Sequence, residues 1–139
     1  MLDRLASGDN AARISNPLIE RAPATTLVEI FLFEGRLDDA WHTAVTYGCD
    51  DRIWMTLARA RESTHPLEAI PIYERAAAAQ IDTKKKNGYR TAVEFLARVE
   101  KLAATAGEPQ RFSDLLATVI TEHARKPSLM ALIDKKGWR

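Results

Sequence analysis

The chain has 139 residues, 46% of them hydrophobic and 28% charged, and its 20 basic and 19 acidic side chains leave a formal charge of +1. This length and balance fit one globular domain that closes a core without disulfides or metal. They argue against a strongly basic nucleic-acid module and an acidic disordered tail. The single cysteine, Cys49, rules out an internal disulfide or a cysteine-rich zinc site.

Residues 1–23 are the least patterned and read as an N-terminal arm or short helix, with 24–139 as a helical-repeat domain. Within the arm, Pro17 opens a brief helix over 17–22 and Pro23 ends it. Thr26 and Glu29 form a capping box, S/T-x-x-E, where hydroxyl and carboxylate satisfy each other's backbone amides. The helix so started carries Leu27, Ile30, Phe31 and Glu34 and stops at Gly35.

The second helix runs over 37–47. Leu37, Ala40, Trp41, Ala44 and Val45 share its apolar stripe, and Asp38 and Asp39 sit in the first turn, where the helix dipole favours acids. Asp50 caps a third helix that carries Ile53, Trp54, Leu57, Ala58 and Arg61 and ends near Glu62. Pro66 opens a fourth helix, along which lie Leu67, Ile70, Tyr73, Ala77 and Ile81. Pro71 should kink it or delay its start. Lys84, Lys85 and Lys86 suit its C-terminus, and Asn87-Gly88 reads as its cap. A fifth helix over 89–106 presents Ala92, Val93, Leu96, Val99, Leu102 and Ala103. A sixth over 110–124 presents Phe112, Leu115, Leu116, Val119 and Ile120, and a short last helix covers 129–133. Alternating strand patterns are missing, so the fold class is all-α.

Six main helices with short connections imply antiparallel neighbours. Paired helices at a period of about 34 residues suggest tetratricopeptide-like repeats. Small residues such as Ala40, Ala58, Ala69 and Ala76 would let helices approach. Large ones such as Trp54, Tyr73 and Phe112 would fill the gaps between hairpins. The expected architecture is a right-handed array of about three hairpins, with an irregular helical bundle as the alternative. The repeat is imperfect: the turn of the second pair is short, and Glu100 stands where a small residue belongs.

Three segments carry a further resemblance: L-x-E-G-R-x-D-x-A-W over 32–41, the run HPLEAIPIYE, and H-x-R-K-x-x-L-M-x-L-I-D over 123–134. Across 26–134 the chain resembles the C-terminal helical region of bacterial SWIM zinc-finger proteins. That family carries its finger, C-x-C…C-x-H, upstream, and no such pattern occurs here. The resemblance implies a helical accessory module, as a fragment or a shortened relative, and transfers no site residues.

Signs of chemistry are sparse. The sequence lacks H-E-x-x-H and any clustered phosphate-binding glycines. His65 reads as a turn residue, His42 as a surface residue, and His123 as a polar group near helix carbonyls. Cys49 sits beside Asp50 and Asp51, which disfavour its thiolate. The acid pairs 38–39 and 50–51 read as helix-start residues. We therefore expect no catalysis, metal or cofactor. The most apolar run, 27–33, contains Glu29 and is far shorter than the roughly 20 residues of a membrane span. The N-terminus lacks a signal-peptide core, which gives a cytoplasmic expectation.

Two binding readings follow. In the first, the outward positions Glu29, Leu32, Met55, Arg59, Glu62 and Lys101 line a groove for a peptide or a partner helix. In the second, Lys84, Lys85, Lys86 and Arg90 contact nucleic acid. Arg125, Lys126, Lys135, Lys136 and Arg139 then form a second basic cluster, with Trp138 as a stacking ring. An uncapped array end near Leu27 and Phe33 would expose apolar surface, which a homodimer or residues 1–23 would cover.

Overall fold

The computed structural model describes the backbone of residues 17–139 and the side chains from residue 24 onward. Much of the expected arm over 1–23 therefore lies outside the described residues. The described residues form seven α-helices and no strand: α1 (Pro17–Phe33), α2 (Leu37–Tyr47), α3 (Asp51–Arg61), α4 (Pro66–Asp82), α5 (Lys86–Thr105), α6 (Gln110–His123) and α7 (Pro127–Lys135). The protein is an all-α helical array.

The first helix departs from the expectation. It does not stop at Pro23 and restart at Thr26, but runs unbroken from Pro17 to Phe33. The Thr26–Glu29 capping box is therefore unused, because both residues lie in the helix interior. Gly35 still ends the segment, at φ +75°, where a Cβ would be strained. The following helix spans Leu37–Tyr47, as the sequence pattern predicts.

Proline inside α4 is tolerated as well. The helix begins at Pro66 and continues through Pro71 to Asp82, so its start is not delayed. Ile70, Ile72 and Tyr73 are all buried around Pro71, and the apolar burial they contribute offsets the missing hydrogen bond.

The α4–α5 connection differs in a more telling way. Asn87 and Gly88 are not a cap; both lie in the first turn of α5, which starts at Lys86. Lys84 instead takes the left-handed conformation, at φ 59°. Gly88 serves close approach: a Cβ there would lie 2.5 Å from the Gln80 carbonyl oxygen and closer still to Thr83 Oγ1. That hydroxyl donates to the Gln80 carbonyl at 2.7 Å and accepts from the Lys85 amide at 3.3 Å.

The described residues form two compact units, divided between Leu57 and Ala58. In the first, Val28 from α1, Ala40 and Ala44 from α2, and Ile53 and Leu57 from α3 make the core, flanked by Phe31, Leu32, Trp41, Cys49 and Trp54. The Trp41 and Trp54 rings meet edge-on at 5.8 Å. In the second, α5 is the hub: α4, α6 and α7 all pack against it. Ala92, Leu96, Val99 and Ala103 of α5 are fully enclosed, as are Ala69 and Ile70 of α4 and Leu129 and Ile133 of α7. The predicted small contact residues Ala40, Ala58 and Ala69 are all buried, and Ala76 is half-buried.

Candidate interaction surface

The expected groove residues fall in both units, so each set stands by itself. In the first, Glu29 is exposed and pairs with Arg52 at 3.4 Å. Leu32 is half-buried against the core rather than displayed, and Met55 is also half-buried.

In the second unit, Glu62 sits in a polar cluster. Tyr73, itself enclosed, donates its hydroxyl to Glu62 Oε2. Arg98 Nη1 donates to Glu62 Oε1 at 3.3 Å, and its guanidinium lies 5.9 Å from the centre of the Tyr73 ring. The Phe95 ring also lies 5.9 Å from that of Tyr73. Beside it, Arg61 is only 6% exposed and donates to Glu68 Oε1 at 2.8 Å. Arg59 and Lys101 are exposed. Glu62 is thus already engaged within the protein. The chain pattern hinted at Arg61, which falls on the buried stripe with Leu57 and Ala58. The Tyr73 partnership had no such signal, because it joins a helix residue to one eleven positions earlier, in the α3–α4 turn.

Burial, followed by the hydrogen bond to Glu62, raises the Tyr73 phenol above its usual range, against the weaker pull of the Arg98 and Arg59 cations. The phenol is protonated in folded and unfolded chains below pH 10.0, the ordinary value. Above that the unfolded chain ionises first, so stability is lost as pH rises. Between pH 10 and about 11, urea midpoints should fall more steeply for the wild type than for Tyr73→Phe. Parallel slopes would show that Tyr73 does not titrate on unfolding.

Cys49 behaves as its neighbours suggest. Burial, with Asp50 and Asp51 adding to it, pushes the thiol up to about 11 from 9.0. Its thiolate fraction near pH 8 should be about 100-fold below that of an ordinary thiol. Iodoacetamide should therefore alkylate Cys49 about 100-fold more slowly in the native protein than in urea. Equal rates would contradict this environment.

The basic residues Lys84, Lys85, Lys86 and Arg90 are all exposed, and Arg90 donates to Asn87 Oδ1 at 3.3 Å. In the C-terminal cluster, Trp138 is not a free stacking ring: it packs edge-on against Phe112 at 5.0 Å. Arg139 pairs with Asp134 at 2.8 Å. His123 is half-buried, and its Nδ1 is enclosed without a hydrogen-bond partner.

An apolar surface lies open on α1 and α2. Leu27, Ile30, Phe33, Leu37, Val45 and Tyr47 are exposed, Phe33 to 93%, Tyr47 to 63% and Val45 to 61%. Leu27, Ile30 and Phe33, three residues apart, run along α1 away from buried Val28. Leu37 and Val45 were expected inside with Ala40 and Ala44. The stripe is narrower than its apolar letters imply, because two alanines suffice for the contact with α1. Among the described residues of the second unit, no leucine, isoleucine, valine, methionine or aromatic is comparably open.

Charge divides the same way. Residues 24–57 hold six acidic and two basic side chains, a formal charge of −4, whereas 58–139 hold ten acidic and fifteen basic, a formal charge of +5. Among the described residues no group of three or more His, Cys, Asp or Glu side chains could hold a metal, and no helix is long and apolar enough to cross a membrane. No protein-family model, curated protein or solved structure matches the chain.

Proposed function

We propose that the protein is a non-enzymatic helical-repeat scaffold that binds a protein partner, with its hairpins stacked in tetratricopeptide-like fashion. We place it in the cytoplasm, as the helical module of a SWIM zinc-finger-type protein. What supports this reading is the open apolar surface of α1 and α2, set beside an enclosed core. Scattered apolar side chains are ordinary on a protein surface, but a concentration of six on two neighbouring helices marks an interaction site. The exposed charge at Glu29 would flank such a partner without adding much affinity, as rim charges do.

A nucleic-acid reading rests on Lys84, Lys85 and Lys86, exposed together where α4 turns into α5. One experiment separates the two: capture from a bacterial lysate on the tagged chain, with and without nuclease. The scaffold reading expects captured proteins that survive nuclease and are lost with Ile30→Ser/Phe33→Ser. Capture that vanishes with nuclease, and with alanine at 84–86, would overturn it in favour of phosphate contacts. Empty capture under every condition would also count against it.

A further inference from the structure

From the charge around the open face, and resting on the scaffold reading, we infer that the partner presents a basic amphipathic helix to α1 and α2. The apolar half of the match comes from Leu27, Ile30 and Phe33. They form a stripe of about 9 Å along α1 at helical rise, with Leu37 following at the start of α2. An apolar stripe of this spacing fits the i, i+3, i+4, i+7 anchors of a partner helix.

The polar half comes from the sign of the surroundings. Glu29 lies between Leu27 and Ile30, Glu34 follows Phe33, and Asp38 and Asp39 follow Leu37. Arg36 pairs with Glu34 and Asp39, at 3.4 and 2.8 Å, and Arg52 with Glu29. These are exposed pairs, whose mutual attraction is weak. The region from 24 to 57 therefore keeps its formal −4 as a field that favours lysine and arginine on an incoming helix.

Two other occupants fit less well. A second copy docking face to face would bring −4 against −4. Docking head to tail would bring +5, but from a surface with no large apolar anchor among its described residues. The chain's own residues 1–16, ahead of α1, hold two acidic and two basic side chains, so they supply no net complementary charge.

The test uses the full chain and three synthetic peptides. Two share a leucine stripe at helical spacing, one with lysine and one with glutamate on the polar face; the third is a scramble of the lysine peptide without the stripe. Fluorescence anisotropy should show the striped lysine peptide binding at least tenfold more tightly than the other two. The affinity should fall at least tenfold with Ile30→Ser/Phe33→Ser, whose sites are exposed enough to leave folding intact. Amide shifts should gather over 27–47. Preference for the glutamate peptide, with the same loss in the variant, would overturn the basic-helix assignment and leave the scaffold reading standing. Equal binding of the scramble would overturn it as mere charge attraction. Binding of neither peptide would overturn it too. In that case, sedimentation that shows a dimer in the wild type and a monomer in the double variant would assign the face to a second copy.

Discussion

Replacing Gly88 with alanine should cost about 2–3 kcal/mol and lower the melting temperature by roughly 10 °C. Alanine is the better helix former by up to about 1 kcal/mol, so propensity alone predicts the opposite sign. Geometry decides. The added Cβ would meet the backbone carbonyl of Gln80 at 2.5 Å, and Thr83 Oγ1 closer still. The Thr83 hydroxyl can rotate only by releasing the Gln80 carbonyl and the Lys85 amide. The carbonyl belongs to α4 itself and can move only if α4 shifts against α5. Thr83→Ala added to Gly88→Ala should therefore recover part of the loss and not all of it. Thermal unfolding by circular dichroism reads both. A Gly88→Ala protein as stable as the wild type would mean that the α4–α5 approach is looser than described.

Arg61 should show the second large effect, and its replacements should rank by volume rather than by charge. Arg61→Ala removes a nearly enclosed side chain, the ion pair to Glu68 and the packing of its aliphatic stem. We expect a loss of about 2–3 kcal/mol. Glu68 keeps 44% of its side chain exposed, so on losing its partner it turns to water, and the penalty stays below that of a fully buried charge. Arg61→Met keeps most of the stem volume and asks for no partner, and should recover half of that loss or more. Denaturant midpoints for the two variants give the comparison. Equal losses for alanine and methionine would make the guanidinium, not the stem, the source of the stability.

The fold was legible wherever the apolar spacing and a chain-breaking residue agreed. Leu37 to Tyr47, bounded by Gly35 and Gly48, came out at its predicted ends. The helix boundaries failed at Pro23 and at Gly88, for related reasons. Pro23 read locally as an interruption, yet burial further along the helix outweighs one missing hydrogen bond. Gly88 read as a cap because glycine caps helices often, whereas its task is to let one helix touch another. That need is set by a residue pair in space. The surface was harder still. Leu27 and Phe33 are exposed, but Val45 and Leu37 look like core by spacing, and only the slimness of Ala40 and Ala44 shows why they are not. The Tyr73–Glu62–Arg98 cluster joins α4, the α3–α4 turn and α5 and leaves no local trace.

The division of charge at residue 57 has a practical consequence. A molecule of formal charge +1 whose charges were evenly mixed would pass through ion exchangers of either kind near neutral pH. Here the two halves differ by nine elementary charges. At low ionic strength attraction to a resin is least screened, and the protein can turn the segment of opposite sign toward either kind. The protein should be retained by anion and cation exchangers alike and released from both by modest salt, and its retention will report local charge rather than the sequence pI of about 7.9.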